Sequence, residues 1–352
     1  MNVEGNGLEL QTERDISTYS QWSTFRDCRR KAYWRYVEWL TPKAVPAALH
    51  MGAAVHSGLK VWYDTGSLAE VEQCLRVAYP DHTAHEDQHH DFQVASAMLA
   101  AYAERYPTED FQVVALERAF EGTIENPKTS GRSLTFKIAG KVDGLVRLGG
   151  GLWLLEHKTA SRIDEGYIDR LWGDFQTTLY AHYLAREMKE PVVGVLYNIL
   201  GKPLLRQRSG ETEDEFRVRY AESCARNKSG KSTAKRQMPE TDEEFQARLR
   251  EWYRGGSEPS GEATKAFERV ELFISPDQIA TLREELWELT QSWLDARRRG
   301  VWYQNTSFCW HWGRPCAYWP LCRSGGSELV KANDYERVEP HQELKETEDV
   351  PF

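Results

Sequence analysis

The sequence predicts an α/β fold in which helices flank a mixed β-sheet. Two strand-like stretches, 134–147 and 151–158, are joined by the glycine run Gly149 to Gly151, which is typical of a β-hairpin with a tight turn. Segments with helical periodicity precede and follow this hairpin. Because each amphipathic helix must bury its apolar stripe, we expect the helices to cover the sheet.

The remaining elements follow from the same patterns. A first helix is expected over 17–40, with Ser17 or Ser20 as its N-cap and its end before Pro42. The other predicted helices are 49–64, 92–106, 172–188 and 276–299, and the other predicted strands are 111–124 and 192–200. The helix at 276–299 opens with Ser275 and Pro276, a favourable pair for a helix start.

The segment 201–270 differs from its surroundings because it is polar and charged. It contains an imperfect repeat, ETEDEFRVRY at 211–220 and ETDEEFQARL at 240–249, which predicts two short helices with acidic first turns. Between them, 225–236 carries five cations and no acid, which is typical of a solvated loop or of a loop that contacts phosphate. We therefore predict a charged helical insert at 201–270.

The composition is that of a globular protein rather than a fibrous or disordered one. The 352 residues are 40% hydrophobic and 28% charged, and the formal net charge is −9. No apolar run approaches the roughly 20 residues that a membrane helix needs, and the start of the chain is acidic and polar. We expect a cytoplasmic protein without a membrane partner. The net charge provides no overall attraction to nucleic acid, although local basic patches could bind phosphate.

Four of the six cysteines could form a metal centre. Cys309, Cys316 and Cys322 lie within fourteen residues, and Cys28 lies far away in similar aromatic and arginine-rich surroundings. In a reducing compartment such thiols favour a metal or cluster over disulfides. Four thiolates suit either tetrahedral zinc or a [4Fe–4S] cluster, which would join the two ends of the chain. Buried free thiols are the alternative.

An acid and a lysine stand two residues apart at the end of an apolar strand. In WLLEHKTAS, Glu156 and Lys158 point to one face of the strand and His157 points to the other. Asp143, in AGKVDGLV, interrupts the apolar pattern of the partner strand. Two carboxylates beside a cation suit Mg²⁺ or Mn²⁺, and such a site can activate water and hold a scissile phosphate. Phosphodiester hydrolysis is the chemistry that this arrangement would serve.

Other interpretations of these residues remain open. Asp143 and Glu156 could form ordinary cross-strand salt bridges with Lys158 and Lys141. Glu117 could support a metal from a neighbouring strand or face solvent. The histidine-rich stretch at 81–91 has no spacing that fits one helix face, so we expect an exposed loop there.

Asp143 followed by Glu156-x-Lys158 resembles the signature of the PD-(D/E)xK nuclease superfamily. GAAVHSGL resembles the metal-ligating histidine motif of its RecB-like branch and FQTTLYAHYL resembles the branch's QxxxY motif, which implies roles for His56, for Gln176 and for Tyr180. The residue at i+4 shares a helix face with the residue at i, so Gln176 and Tyr180 could both meet DNA or the metal site.

The segment SQWSTFRDCRRKAYWRY is similar to the stretch that supplies the first cluster cysteine in the iron–sulfur members of this branch, which include AddB and the CRISPR-adaptation nucleases. The resemblance spans about 17–322 without 201–270. One departure concerns the cysteines, because six residues separate Cys309 from Cys316 where two are usual. Zinc therefore stays open beside iron–sulfur. The insert looks like an elaboration of phage-borne members.

The resemblance implies a restriction-endonuclease-like mixed sheet, with N- and C-terminal segments joined by a four-cysteine metal cluster. The expected domains are a flexible N-terminus (1–16), a nuclease domain (17–200 and 271–322), the insert (201–270) and a polar tail (323–352).

The implied activity is a Mg²⁺- or Mn²⁺-dependent deoxyribonuclease, an exonuclease on DNA ends or single strands, working in recombination or repair beside a helicase or recombination protein, in a bacterium or a phage-infected cell. Aromatic residues near the cysteines could stack on single-stranded bases. A DNA clamp that does not cut and a cluster-based redox sensor are the alternative classes.

Overall fold

The computed structural model describes residues 14–44, 47–83, 85–227, 231–255, 265–311, 313–341 and 344. Its strands are β1 (Asp15–Ser17), β2 (Leu40–Pro42), β3 (Gln112–Glu125), β4 (Arg132–Leu148), β5 (Gly151–Ala160), β6 (Val192–Gly201), β7 (Phe267–Phe273), β8 (Trp310–His311), β9 (Arg314–Pro315) and β10 (Tyr335–Arg337). Its helices are α1 (Tyr19–Asp27), α2 (Arg29–Tyr36), α3 (Ala47–Thr65), α4 (Leu68–Ala78), α5 (Glu86–Arg105), α6 (Glu165–Leu171), α7 (Phe175–Met188), α8 (Glu213–Arg226), α9 (Asp242–Tyr253), α10 (Pro276–Arg299), α11 (Trp319–Arg323) and α12 (Glu328–Asp334).

A six-stranded mixed sheet forms the centre of the molecule. Its strand order is β1, β4, β5, β6, β7, and β3 pairs with β4. The hairpin between β4 and β5 is antiparallel, β5 and β6 are parallel, and β1 runs parallel to β4. The predicted fold class, a mixed sheet flanked by helices, is confirmed.

The two largest apolar cores of the described residues pack against this sheet and its helices. One joins the sheet to α1, α7 and α10 and contains Trp22, Leu179 and Trp293. The other joins α3, α4, α5 and α9. Phe245 of α9 is fully buried in the second core, whereas Phe216, its counterpart in the repeat, is half-buried on α8. The range predicted as an insert therefore contributes one helix to a core, and its expected end at 270 falls inside β7.

The single helix expected over 17–40 is wrong, because the chain breaks at Cys28. Cys28 is extended (φ −160°, ψ 115°) and separates α1 from α2. The N-cap is Thr18, whose side chain accepts a hydrogen bond from the Gln21 amide. Ser17 cannot serve because it lies in β1 and its hydroxyl donates to the Lys137 carbonyl. Residues 15 and 16 thus belong to the sheet and not to a flexible terminus.

Two further expectations need correction. The helix expected at 172–188 is preceded by a separate helix, α6, and begins only at Phe175, where Asp174 caps it. The histidine-rich stretch is an exposed turn only as far as His85, because α5 begins at Glu86. Its His89 pairs with Asp242 at 3.0 Å (Nε2 to Oδ1), an attachment between segments 153 residues apart that no local pattern encodes.

The helix at 276–299 agrees with its prediction in both bounds. Ser275 and Gln278 form a reciprocal capping box, and Pro276 occupies the first turn, where its missing amide costs no hydrogen bond. None of the helices in the described ranges combines the length and the apolar character needed to cross a membrane.

We predict that His182 makes folding sensitive to mild acid. Burial, with the charges of Arg186 and Arg283, lowers the pKa of His182 from 6.5 to about 4, although Glu125 opposes the shift. The unfolded chain then binds the proton first, so stability is complete above pH 6.5 and falls as the pH approaches 4. In urea unfolding, wild type should lose about 3 kcal/mol relative to His182→Gln as the pH falls across this range. A difference that does not change with pH would contradict the prediction.

Candidate active site

The site lies where two strands of the hairpin separate. The ladder between β4 and β5 ends at Gly144 and Leu155. One edge of β4 is occupied by β3. The other edge pairs with β5 at 144–148 and, nearer the start of β4, with β1 at 136–138. β5 meanwhile continues beside β6 to Ala160. The strands therefore diverge at Asp143 and Glu156, and the gap between them receives the polar side chains.

Asp143 is anchored by two donors. Its Oδ1 lies 3.2 Å from Nδ1 of His56, which α3 carries to the gap, and its Oδ2 accepts a 2.8 Å hydrogen bond from the His157 amide. Burial disfavours the charged carboxylate, but the charge and hydrogen bond of His56 outweigh burial and hold the pKa of Asp143 well below its ordinary value. The pKa of His56 is raised in return, since the charge of Asp143 overcomes the effect of burial. The pair thus favours its ionised form.

Glu156 and Lys158 form the second pair. Lys158 Nζ donates to Glu156 Oε1 at 2.7 Å, and the Glu156 side chain is only 6% exposed. Burial and the charge of Asp143 raise the pKa of Glu156 to about 7. Burial also disfavours the ammonium of Lys158, yet the charges of Glu156 and Asp174 raise its pKa. The lysine is therefore held as a cation beside a carboxyl whose pKa lies above its ordinary value.

The helix α7 extends this arrangement. Lys158 Nζ lies 3.4 Å from Gln176 Oε1, and Gln176 Nε2 donates to the Tyr180 hydroxyl at 3.2 Å. The predicted shared face of Gln176 and Tyr180 is thus confirmed. Gln176 contacts the Lys158 ammonium directly, and Tyr180 is linked to it through Gln176.

Asp174 was missed by the sequence analysis. Its Oδ1 caps α7 by accepting from the Gln176 amide, and its Oδ2 lies 3.9 Å from Lys158 Nζ and accepts from the Tyr197 hydroxyl at 3.2 Å. An aspartate directly before the FQTTLY helix was the available signal, since aspartate is a preferred N-cap.

Glu117 lies beside the site but is engaged elsewhere. It stands between the pairs Leu116–Gly144 and Arg118–Val142, hence level with Asp143, and its φ of +48° is rare for a residue other than glycine. Its carboxylate pairs with Lys141 at 2.7 Å. Lys141 therefore neutralises Glu117, and the support of a metal by Glu117 stays a prediction.

A buried polar network lies behind the site. His157 faces away from Glu156, as predicted, and its ring stacks on Tyr63. Burial lowers the pKa of His157 to about 3, so its Nδ1 accepts from Asn198 Nδ2 at 3.0 Å. Asn198 also donates to the Tyr102 hydroxyl at 3.1 Å, and Arg269 donates to the same hydroxyl at 2.8 Å. These contacts fix the strand whose amide holds Asp143.

The donor set suits a divalent cation by its chemistry. His56, Asp143 and Glu156 supply one nitrogen and carboxylate oxygens, which Mg²⁺ and Mn²⁺ accept. In the described part of the chain, however, no three histidine, cysteine, aspartate or glutamate side chains stand at metal-ligand spacing. The donors instead bond to each other and to Lys158.

The four cysteines come together although they are far apart in sequence. Cys28, Cys309, Cys316 and Cys322 all line one cavity of about 10 Å³. The Cys28 sulfur accepts from the Asn305 amide, and burial raises the pKa of Cys322. Within the described ranges these thiols are not at bonding distance for a metal, so the geometry shows a convergence of thiols and not a cluster.

The profile of the PD-(D/E)XK nuclease superfamily matches residues 17–323, and the chain belongs to this superfamily. Among solved structures, a presumptive exonuclease from Eubacterium rectale is similar over 88% of this chain and 91% of its own, with 11% identity and a TM-score of 0.43. The protein SSO0001 is similar over 77% and 88%, with 11% identity and a TM-score of 0.25. No curated protein matches the sequence significantly.

We predict that the ion pair behind the site is essential for stability. Arg269 donates to both carboxylate oxygens of Glu109 at 2.6 and 2.8 Å, and the two side chains are 17% and 15% exposed. Arg269→Met should cost about 3 kcal/mol in urea unfolding because it leaves the half-buried Glu109 carboxylate without its cation. Adding Glu109→Gln should recover part of this loss.

The control is Arg254→Met, which removes an exposed pair with Glu104 (66% and 53% exposed) and should cost less than about 1 kcal/mol. Equal losses in Arg269→Met and Arg254→Met would contradict the structural role of the half-buried pair.

Proposed function

We propose that this nuclease hydrolyses phosphodiester bonds in DNA and depends on Mg²⁺ or Mn²⁺. One observation carries the proposal: the separation of β4 and β5 brings Asp143 and Glu156 into one gap, with His56 on one side and Lys158 on the other. Carboxylates, an imidazole and a lysine around one opening are the groups that metal-assisted phosphate hydrolysis requires.

In this mechanism His56, Asp143 and Glu156 would hold one or two divalent cations. When bound, such a cation activates a water molecule and stabilises negative charge on the scissile phosphate. Lys158 keeps its cation next to the attacked position, where it orients water and neutralises developing charge. Gln176 limits the orientations of the Lys158 ammonium, and Asp174 adds a second negative charge that keeps it protonated. The His157 amide fixes the Asp143 carboxylate.

We further propose an exonuclease of the RecB-like branch that acts on DNA ends or single strands in recombination or repair, in the cytoplasm and with a helicase or recombination protein as partner. The exposed indole of Trp310 (56%), which lies 6.3 Å from the ring of Trp319, supports contact with unpaired bases. Tyr318 does not support it, because its ring is buried and its hydroxyl donates to the Leu40 carbonyl. Trp312 lies outside the described residues.

A four-cysteine centre, [4Fe–4S] or zinc, is proposed as a structural clamp. The shared cavity of the four thiols supports it, and so does Asn305, which bonds both the Cys28 sulfur and the Asp27 carbonyl. A bound metal would tie the junction of α1 and α2 to the loop before β8.

Asp143→Asn and Lys158→Met should each lower the cleavage rate at least about 100-fold, because each removes a charge that acts at the phosphate. The test is cleavage of end-labelled single- and double-stranded DNA with Mg²⁺, Mn²⁺ or EDTA, after anaerobic purification. Lys128→Met is the matched control, since Lys128 is exposed on the turn between β3 and β4.

Full activity in either site variant would refute the assignment of the site. DNA binding without metal-dependent products in the wild type would favour the non-cutting clamp.

Cys316→Ser should remove bound iron or zinc and lower the melting temperature by at least about 5 °C, because structural metal binding contributes directly to folding. Elemental analysis, the visible absorbance and calorimetry of the purified proteins provide the readouts. Cys74→Ser, a change outside the cavity, should retain metal and melting temperature. Wild-type protein without metal, or an unchanged melting curve in Cys316→Ser, would contradict the clamp.

A further inference from the structure

A second cavity lies at the carboxyl ends of two parallel strands, β5 and β6. It has a volume of about 160 Å³ and is lined in part by Ser161, which follows β5, and by Lys202, which follows β6. The Lys202 amide donates to the Ala160 carbonyl at 2.7 Å, so the two strand ends are tied together there. Ser161 is three residues beyond Lys158, about 10 Å along an extended chain.

The helix α3 also runs between the proposed active site and this cavity. Met51, which is buried and lines the cavity, precedes His56 by five residues, or about 7.5 Å of helix. α3 therefore carries one residue of the proposed active site and one of the cavity, and β5, which carries Glu156 and Lys158, leads directly into Ser161 of the cavity. A DNA strand advances about 3.4 Å per nucleotide when stacked, so the cavity lies within about three nucleotides of the scissile phosphate.

The cavity combines apolar walls with two charges of opposite sign. Met51, Val94 and Pro203 supply the walls, and Asp91 and Lys202 supply the charges. In the part of the chain that the structure describes, neither charged side chain has a hydrogen-bond partner or an ion-pair partner within 4.0 Å. Burial raises the pKa of Asp91 and lowers that of Lys202, although Arg206, His50 and Lys202 itself favour the Asp91 carboxylate. Each group therefore feels the charge of the other, but both are partly desolvated and no direct hydrogen bond or ion pair among the described residues compensates them.

A nucleotide offers what these two groups lack. Its phosphate is an anion for the ammonium, and the edge of a base carries donors for the carboxylate. A cavity of about 150 Å³ accommodates one six-membered aromatic ring, which fits a pyrimidine better than a purine. Cytosine presents an amino donor at the position where thymine presents a carbonyl acceptor, and a carboxylate accepts only from the donor.

We propose that this cavity binds one unpaired cytosine nucleotide of the DNA strand beside the cleaved bond. Asp91 accepts a hydrogen bond from the base amino group, Lys202 contacts the backbone phosphate, and the base lies between Met51, Val94 and Pro203. The proposal rests on the proposed nuclease function and adds to it a preference at one position.

The experiment uses the full chain with Mn²⁺ and oligothymidylate strands that carry a single cytosine at successive positions. Cleavage should be about tenfold faster at one bond, a constant number of nucleotides from the cytosine, than in the strand without cytosine. Asp91→Asn should remove this preference because an amide can pair with either pyrimidine. Lys202→Met should slow cleavage of every strand and reduce the salt dependence of binding by about one counterion. Lys128→Met, the same loss of charge at a distant turn, should do neither.

Equal cleavage of all strands by wild type, or a preference that survives in Asp91→Asn, would overturn the subsite while leaving the nuclease intact. If wild type cleaves no strand with Mg²⁺ or Mn²⁺, the proposed function fails instead. Fluorescence anisotropy with the same labelled strands then decides the subsite: tighter binding of a cytosine strand that is lost in Asp91→Asn supports it, and equal affinities overturn it.

Discussion

The structure depends on the pairing of charges in the gap between β4 and β5. Asp143 and Glu156 stand at the point where the ladder ends, so their neighbouring backbone groups are released from strand pairing and become available to side chains. Two buried carboxylates so placed repel each other unless cations compensate them. His56 on α3 and Lys158 on β5 provide that compensation from different directions. The position of α3 against the sheet is therefore tied to the chemistry of the gap.

Hydrogen-bonded partners on both faces of β5 restrict the motion of the side chains in the gap. On one face of β5, Lys158 reaches Gln176 and Asp174 of the α7 region. On the other face, His157 bonds Asn198, which donates to the Tyr102 hydroxyl, and the same hydroxyl accepts from Arg269 of the half-buried pair with Glu109. A polar group removed from water costs free energy unless it is hydrogen-bonded. Each side chain in the network is therefore held in the orientation that keeps its bond to the next one. A carboxylate held in this way needs little reorganisation when substrate arrives, which is the property that electrostatic catalysis uses.

Early and late segments of the described chain meet outside this gap. β2 pairs with β10, and the extended Cys28 faces the loop that precedes β8. The break at Cys28 would be unexplained by helix propensity, since alanine, arginine and lysine surround it. It is explained by tertiary contact, because the break turns the thiol toward the cavity that Cys309, Cys316 and Cys322 also line.

The sequence by itself determined the fold class, the bounds of α10 and the grouping of Asp143 with Glu156 and Lys158. These depend on local signals: apolar spacing, a serine and a proline at a helix start, and an acid, a histidine and a lysine in three consecutive strand positions. Only the tertiary structure decided the break at Cys28, the burial of Phe245 but not of Phe216, and the partners Asp174, Asn198 and Arg269. The physical reason is that these depend on contacts between segments distant in sequence, such as Asn198 with Tyr102 and His89 with Asp242, and such contacts leave no periodic pattern along the chain.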